Sequence, residues 1–416
     1  MATIERVRVR PRRRRPRKPV RRTLIAVHRW SALLLGLVLV VQCTSGAILL
    51  YNAELFRAQH ASFYRHTEGP SVIDPDRAVA LVRAVDPGFD VGWVGSDAGV
   101  TVVGSSDFAA AYSIDPATGR LGERVSLSDG VLGWLVNLHD CAFGCLRFSG
   151  AVPIMNEQAP LIDITWGAIV LVVLGLLLVV LAVSGAIVWW PTFKRLRHGF
   201  RIRWRKGRFA RDRDLHDVIG ILGVPFLLMW GITGITIEWP AAKSVMLSAF
   251  GGDAKVDLAE AVYVPRPAAR PQPVDIDEAR AIALREAPGR LSYVMLPTEA
   301  TPYYLASVAG AYSPYEHRAF YNGDVLVYIN ATDGSDTKVV DASHGRPLAN
   351  TFYAKVFEPA HFGWLVNGWW RVLWLIFGST PLLLAVTGMS TWLFRRGVQR
   401  GRRRSVRKGT NVSLQQ

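Results

Sequence analysis

The sequence predicts an α-helical membrane protein with four transmembrane helices, two extracytoplasmic α+β domains and an internal two-fold repeat. Three observations predict it: four long apolar stretches free of charge, basic residues gathered beside those stretches, and a recurring order of histidines, helices and strands. The charge-free stretches are 30–53, 164–193, 218–237 and 372–394, of 24, 30, 20 and 23 residues. Each can cross roughly 30 Å of hydrocarbon, which takes about 20 helical residues.

The net charge of +16 raises the possibility of an anionic partner, and its location answers it. Residues 1–22, 191–215 and 395–416 together hold 29 basic and 3 acidic residues, a net +26, and the remainder of the chain is −10. Basic charge flanking membrane segments marks the cytoplasmic side. Both termini and the middle loop are therefore expected inside, an arrangement that requires an even number of crossings. The charge reports orientation in a lipid bilayer, and no nucleic-acid partner is expected. The first apolar stretch exceeds the 7–15 residues of a cleaved signal, so it is read as a retained anchor.

The resulting organisation is a basic cytoplasmic N-terminus (1–23), a first membrane helix (24–51), an outer domain (52–162) and a second membrane helix (163–190). A basic cytoplasmic loop (191–215) leads to a third helix (216–239), a second outer domain (240–365), a fourth helix (366–394) and a basic tail (395–416). The outer segments share one order. In the first, a helix over 74–85 with an Asp-Pro start precedes strands at 91–94, 100–103 and 110–114 and a turn at 115–119. In the second, a helix over 275–286 precedes strands at 293–296, 303–308 and 325–329 and a turn at 330–334.

The repeat extends into the membrane helices. His28 is followed 18 residues later by Gly46, and His216 is followed 18 residues later by Gly234. The second and fourth helices close on Ser184-Gly185 and Thr387-Gly388. Before them come His139 and His361, each near a Gly-Trp-Leu-Val-Asn string, at 133–137 and 363–367. An ionisable side chain at membrane depth is costly and marks a functional site by default. Neutral imidazoles from facing helices can serve as the two axial ligands of a haem iron. His28 with His216, and His139 with His361, are the candidate ligand pairs for two haem groups.

A porphyrin also needs cleared helix faces. Gly220 and Gly223 share a face with His216, as Ala32 and Gly36 do with His28, although small residues at this spacing also serve close helix packing. Arg29 and Arg371 can meet haem propionates or act as ordinary snorkelling anchors. His60, His66, His198, His317 and His344 occupy no repeated position, and the tryptophans at 189, 190, 239, 369, 370 and 374 read as interfacial belts. Of the three cysteines, Cys43 reads as a packed membrane residue, while Cys141 and Cys145 lie outside, where a local disulfide or two free thiols both remain open. The residues hold no nucleotide-binding, flavin-binding or hydrolase motif. A redox reading therefore needs a membrane quinol or a separate protein as electron donor.

These residues resemble the PepSY-associated transmembrane helix family, which includes bacterial inner-membrane ferric-siderophore reductases. The resemblance rests on the His28 and His216 helices, the approaches at Leu138-His139 and Ala360-His361-Phe362-Gly363, Thr387-Gly388, and turns such as 114–119. It implies PepSY-like outer domains, haem b between helices, reduction of a ferric siderophore or other ferric chelate at the outer face, and a place in the bacterial inner membrane. His139 departs from the pattern, lying 46 residues before Gly185 where His361 lies 27 before Gly388. The other readings are a non-redox membrane protein that binds peptide or regulates a peptidase or sensor, and an iron or siderophore permease component.

Overall fold

A computed structural model describes residues 19–190, 196–256, 262–268, 270–309, 325–341, 345–365 and 369–412. The first 18 residues, the start of the middle loop and residues 366–367 of the second Gly-Trp-Leu-Val-Asn string lie outside them, as do His317, His344 and residues 413–416. Four helical spans are long and apolar enough to cross a membrane: Pro19–Leu49, Trp166–Trp189, Arg208–Glu238 and Trp370–Val398. The first three are the single helices α1 (Pro19–Leu49), α5 (Trp166–Trp189) and α6 (Arg208–Glu238). The fourth is α7 (Trp370–Gly378) continued after Ser379 by α8 (Thr380–Val412). Between α1 and α5 lie α2 (Asn52–Gln59), α3 (Pro75–Val85) and α4 (Gly130–Cys141).

Glycines let α5 and α6 approach backbone to backbone. A Cβ on Gly175 would stand 2.9 Å from the Gly231 carbonyl, and one on Gly231 would stand 3.1 Å from the Gly175 carbonyl. Such small-residue contacts replace the hydrophobic drive that lipid removes. Leu39, Leu174, Leu177, Leu178, Ala182 and Leu227 fill the space beside them.

The segments between the membrane helices combine in one eight-stranded antiparallel sheet, where two separate domains were expected. The first half supplies β1 (Val91–Asp97), β2 (Val100–Ser105), β3 (Ala110–Ile114) and β4 (Leu121–Ser126). The second supplies β5 (Arg290–Met295), β6 (Tyr303–Ala309), β7 (Val325–Asn330) and β8 (Asp333–Asp341). The order is β4-β3-β2-β1-β5-β6-β7-β8, so the halves meet at β1 and β5, with Val94 opposite Val294. Pairing the two innermost strands removes an exposed edge from each half.

One core serves both halves. Ala78, Val79 and Val82 of α3 pack on the same face as Ala279, Ile282 and Ala283 of the helix Ile276–Glu286, over Val94, Ile114, Val294, Val327 and Ile329. Each helix starts with an aspartate cap: Asp74 accepts from the Arg77 N–H and Asp275 from the Glu278 N–H. Asp76 of the first helix also accepts from the Asp277 N–H at 3.0 Å, tying the two helix starts together. The opposite face of the first half is closed by Phe56, Phe63, Trp93 and Leu132.

Cys141 and Cys145 form a disulfide. The extra length after His139 folds back on α4. Asn137, fully buried, donates to the Phe148 and Ser149 carbonyls and accepts from the Cys145 N–H. The insertion thus holds α4 in place and does not displace His139.

Because the core is shared, Ile114→Ala and Ile329→Ala, both at fully buried sites in opposite halves, should each cost about 2–5 kcal/mol. Thermal unfolding of the sheet followed by circular dichroism should show a single transition lowered by either change. Two transitions, each moved by one variant only, would contradict the shared core.

Candidate functional site

The four repeated histidines come together as two pairs. The rings of His28 and His216 have centroids 6.3 Å apart, and those of His139 and His361 are also 6.3 Å apart. A metal–imidazole bond of about 2.0–2.1 Å, with roughly 1.1 Å from nitrogen to ring centre, places two imidazoles on opposite sides of one metal at about 6.2–6.4 Å between centroids. Both pairs have that spacing. Among the described residues no group of three or more His, Cys, Asp or Glu side chains could hold a metal ion, so any metal held here would be held by pairs.

The 18-residue interval in α1 and α6 is five full turns at 3.6 residues per turn. His28 and Gly46 therefore share one face of α1, and His216 and Gly234 share one face of α6. At 1.5 Å per residue, the interval spans roughly 27 Å, close to the thickness of the hydrocarbon layer. The glycine at the far end of each face meets a histidine of the other pair. A Cβ on Gly46 would collide with the His139 ring, and one on Gly234 would lie 3.7 Å from His361. At the opposite end, Cβ atoms on Gly185 and Gly388 would lie 3.2 Å from His28 and His216.

The residue before each glycine hydrogen-bonds the same histidine. Nδ1 lies 3.0 Å from Ser184 Oγ in His28, 3.2 Å from Ser45 Oγ in His139, 3.1 Å from Thr387 Oγ1 in His216 and 2.7 Å from Thr233 Oγ1 in His361. Among the described residues none of the four Nε2 atoms has a hydrogen-bond partner. Burial, with the facing His139 adding to it, pushes the His361 imidazole down to about 3, so that it stands neutral.

The second pair borders a cavity of about 320 Å³ lined by Gly46, Gly175, Gly234 and Gly378 and by leucines of α1, α5 and α6. Asp140 and Glu238 add two carboxyl groups to its wall. Burial raises Asp140, with His139 pulling the other way. Trp230 and Trp374 fix the turn that carries His361: their indoles donate to the His361 and Ala360 carbonyls at 3.1 and 2.8 Å. Trp374, expected in an interfacial belt, is thus an anchor of the site, and Trp230 is a site residue the sequence reading missed.

The remaining candidate residues take other roles. Gly220 and Gly223 face Leu384 and Thr380, at 3.6 and 3.4 Å from an added Cβ, so they serve the approach of α6 to α8. Gly36 has no neighbour within 4 Å of such a Cβ. Arg29 is exposed and lies over Trp30. Arg371 is buried in an ion pair with Glu54, donates to the Leu50 carbonyl and lies over Tyr51, so it ties α7 to α2 and does not line the cavity. Asp217 pairs with Arg213 at 3.7 Å.

Gly36 and Gly46 give a direct comparison. Replacing a helical glycine by alanine gains up to about 1 kcal/mol of helix propensity, whereas overpacking costs about 1–3 kcal/mol. Gly36→Ala should leave the melting temperature of the detergent-solubilised protein unchanged or higher, and Gly46→Ala should lower it. Equal effects of the two changes would show that Gly46 does not seat His139.

The chain is 27% identical over 253 residues to a Pseudomonas aeruginosa protein described as uncharacterized, a match covering 55% of this chain and 60% of that relative. The family described as the PepSY-associated TM region matches residues 25–395 and so takes in both histidine pairs, the sheet and most or all of each of the four membrane spans. The chain is a multi-pass membrane protein of the PepSY-associated transmembrane family.

Proposed function

We propose that the protein is a di-haem b-type oxidoreductase of the bacterial inner membrane that passes electrons outward to a ferric chelate such as a ferric siderophore. The observation that carries the proposal is the pair of matched imidazole couples, each with the spacing of two ligands on one metal and with Nδ1 hydrogen-bonded. His28 and His216 would hold one haem iron, and His139 and His361 the other. Bound haem b supplies a one-electron carrier at each position.

The chain's residues account for the rest. Each histidine is hydrogen-bonded through Nδ1 within the helix bundle, which offsets part of the cost of placing it there. The glycines let a second helix lie against each imidazole. The basic segments at 1–22, 191–215 and 395–416 orient the first pair toward the cytoplasm and the sheet toward the outside. With a membrane quinol as donor, one quinol loses two electrons and two protons, and two ferric chelates each gain one electron. Ferrous iron leaves because oxygen-rich chelators favour the harder ferric ion. The cavity at the second pair is lined largely by leucines and glycines.

Purified protein reduced with dithionite should show a Soret band with resolved α and β bands, and pyridine haemochrome analysis should give two b haems per chain. His28→Ala and His361→Ala should each remove one of the two. A colourless protein from haem-replete cells would overturn the reading and favour a peptide-binding or regulatory role for the sheet. Loss of both haems, or of neither, in either variant would contradict the pairing.

A further inference from the structure

The four Ser/Thr-Gly pairs do more than pack. In each, the hydroxyl proton is already committed to its own helix: Ser184 Oγ donates to the Val180 carbonyl at 2.5 Å, Thr233 Oγ1 to Met229 at 2.6 Å, Thr387 Oγ1 to Leu383 at 2.7 Å and Ser45 Oγ to Gln42 at 2.7 Å. A hydroxyl whose proton is spent can only accept from the imidazole. In two of the four cases a backbone carbonyl three residues before the hydroxyl gives the same instruction, since a carbonyl cannot donate. Nδ1 of His216 lies 3.1 Å from the Leu384 carbonyl, and Nδ1 of His139 lies 2.9 Å from the Gln42 carbonyl, beside the Gln42 side-chain amide nitrogen at 3.1 Å, which donates to the His139 carbonyl at 2.7 Å. His28 and His361 differ, because among the described residues the hydroxyls of Ser184 and Thr233 alone meet their Nδ1.

We propose that the four Ser/Thr-Gly pairs are imidazole seats that hold each histidine in the Nδ1-protonated tautomer with Nε2 as the ligand atom, and that Thr233 is the positioning residue on which the His361 site depends. The inference deepens the haem reading and rests on it for its purpose, but the tautomer is a property of the protein itself. Every seat is supplied by a different helix from the one carrying its histidine, so the lock also sets ring orientation. Partners of this kind fix which nitrogen is free to bind a metal and raise its basicity. The contrast between seats is the specific content: removing the hydroxyl at Thr387 leaves the Leu384 carbonyl to hold His216, whereas removing it at Thr233 leaves His361 with no described acceptor. Thr233 is fully buried, so water has no ready way to replace it.

The test is nitrogen-15 solid-state NMR on the full-length protein in lipid bilayers, with labelled histidine, prepared from haem-depleted and haem-replete cells. His361→Ala assigns the His361 resonances. In the haem-depleted wild type, His361 should be neutral and protonated on Nδ1. Thr233→Val should move it to the Nε2-protonated form, Thr233→Ser should restore it, and Thr387→Ala should leave His216 on Nδ1. In haem-replete protein, Thr233→Val should weaken haem retention at the second site about 10–100-fold, the usual effect of removing a ligand's hydrogen-bond partner, with the first site unchanged. An Nε2-protonated His361 in the wild type, or an unchanged tautomer in a folded Thr233→Val protein, would overturn the seat. Nδ1 protonation in a protein that never takes up haem would sink the haem reading and leave the seat standing. Should Thr233→Val fail to fold, the wild-type and Thr233→Ser spectra decide: His361 on Nε2 in either contradicts the proposal.

Discussion

Everything in the bundle follows from the requirement that four imidazoles be hydrogen-bonded and accommodated among the helices. A polar group in hydrocarbon without a partner costs several kcal/mol. Each histidine meets the requirement in one way: Nδ1 bonds a hydroxyl of another helix and a glycine beside that hydroxyl admits the ring. The two pairs lie at opposite ends of five-turn faces on α1 and α6, so one helix presents a histidine at one end and a seat at the other. That economy explains why the same 18-residue interval is used twice.

The sheet depends on the same arrangement. Its halves join at β1 and β5, and the histidine pairs join residues of the corresponding halves of the chain, His28 to His216 and His139 to His361. Each half supplies one member of each pair, and neither forms a pair alone. The shared core over α3 and its counterpart then holds the halves in register from outside the membrane. Arg371 reinforces this at the boundary, where its ion pair with Glu54 ties the fourth span to the segment following the first.

Much of this was legible in the sequence. Charge-free length located the four spans, an Asp-Pro start located the first helix over the sheet because its cap is local, and the repeated order located the second. The edge strands β4 and β8 were missed because their exposed, charged faces carry little period-two contrast. Two domains were expected where one sheet exists, since the β1–β5 pairing joins residues about 200 apart and no local signal announces it. The histidines and Gly46, Gly185, Gly234 and Gly388 stood out as repeats, yet which helix each glycine faces is a tertiary fact. Gly220 and Gly223 were credited with clearing a porphyrin face because they share one with His216; the structure gives that face to α8. Arg371 was read from depth alone, and Glu54, its partner, lies far away in the chain.

The central claim is that each histidine couple grips a single iron from both sides. Electron paramagnetic resonance of the oxidised, full-length protein tests it most directly, because two axial imidazoles give a low-spin ferric centre and one imidazole with an open position gives a high-spin one. The account predicts two low-spin signals, one lost in His28→Ala and the other in His361→Ala. A high-spin signal in the wild type, or no ferric haem signal at all, would contradict it.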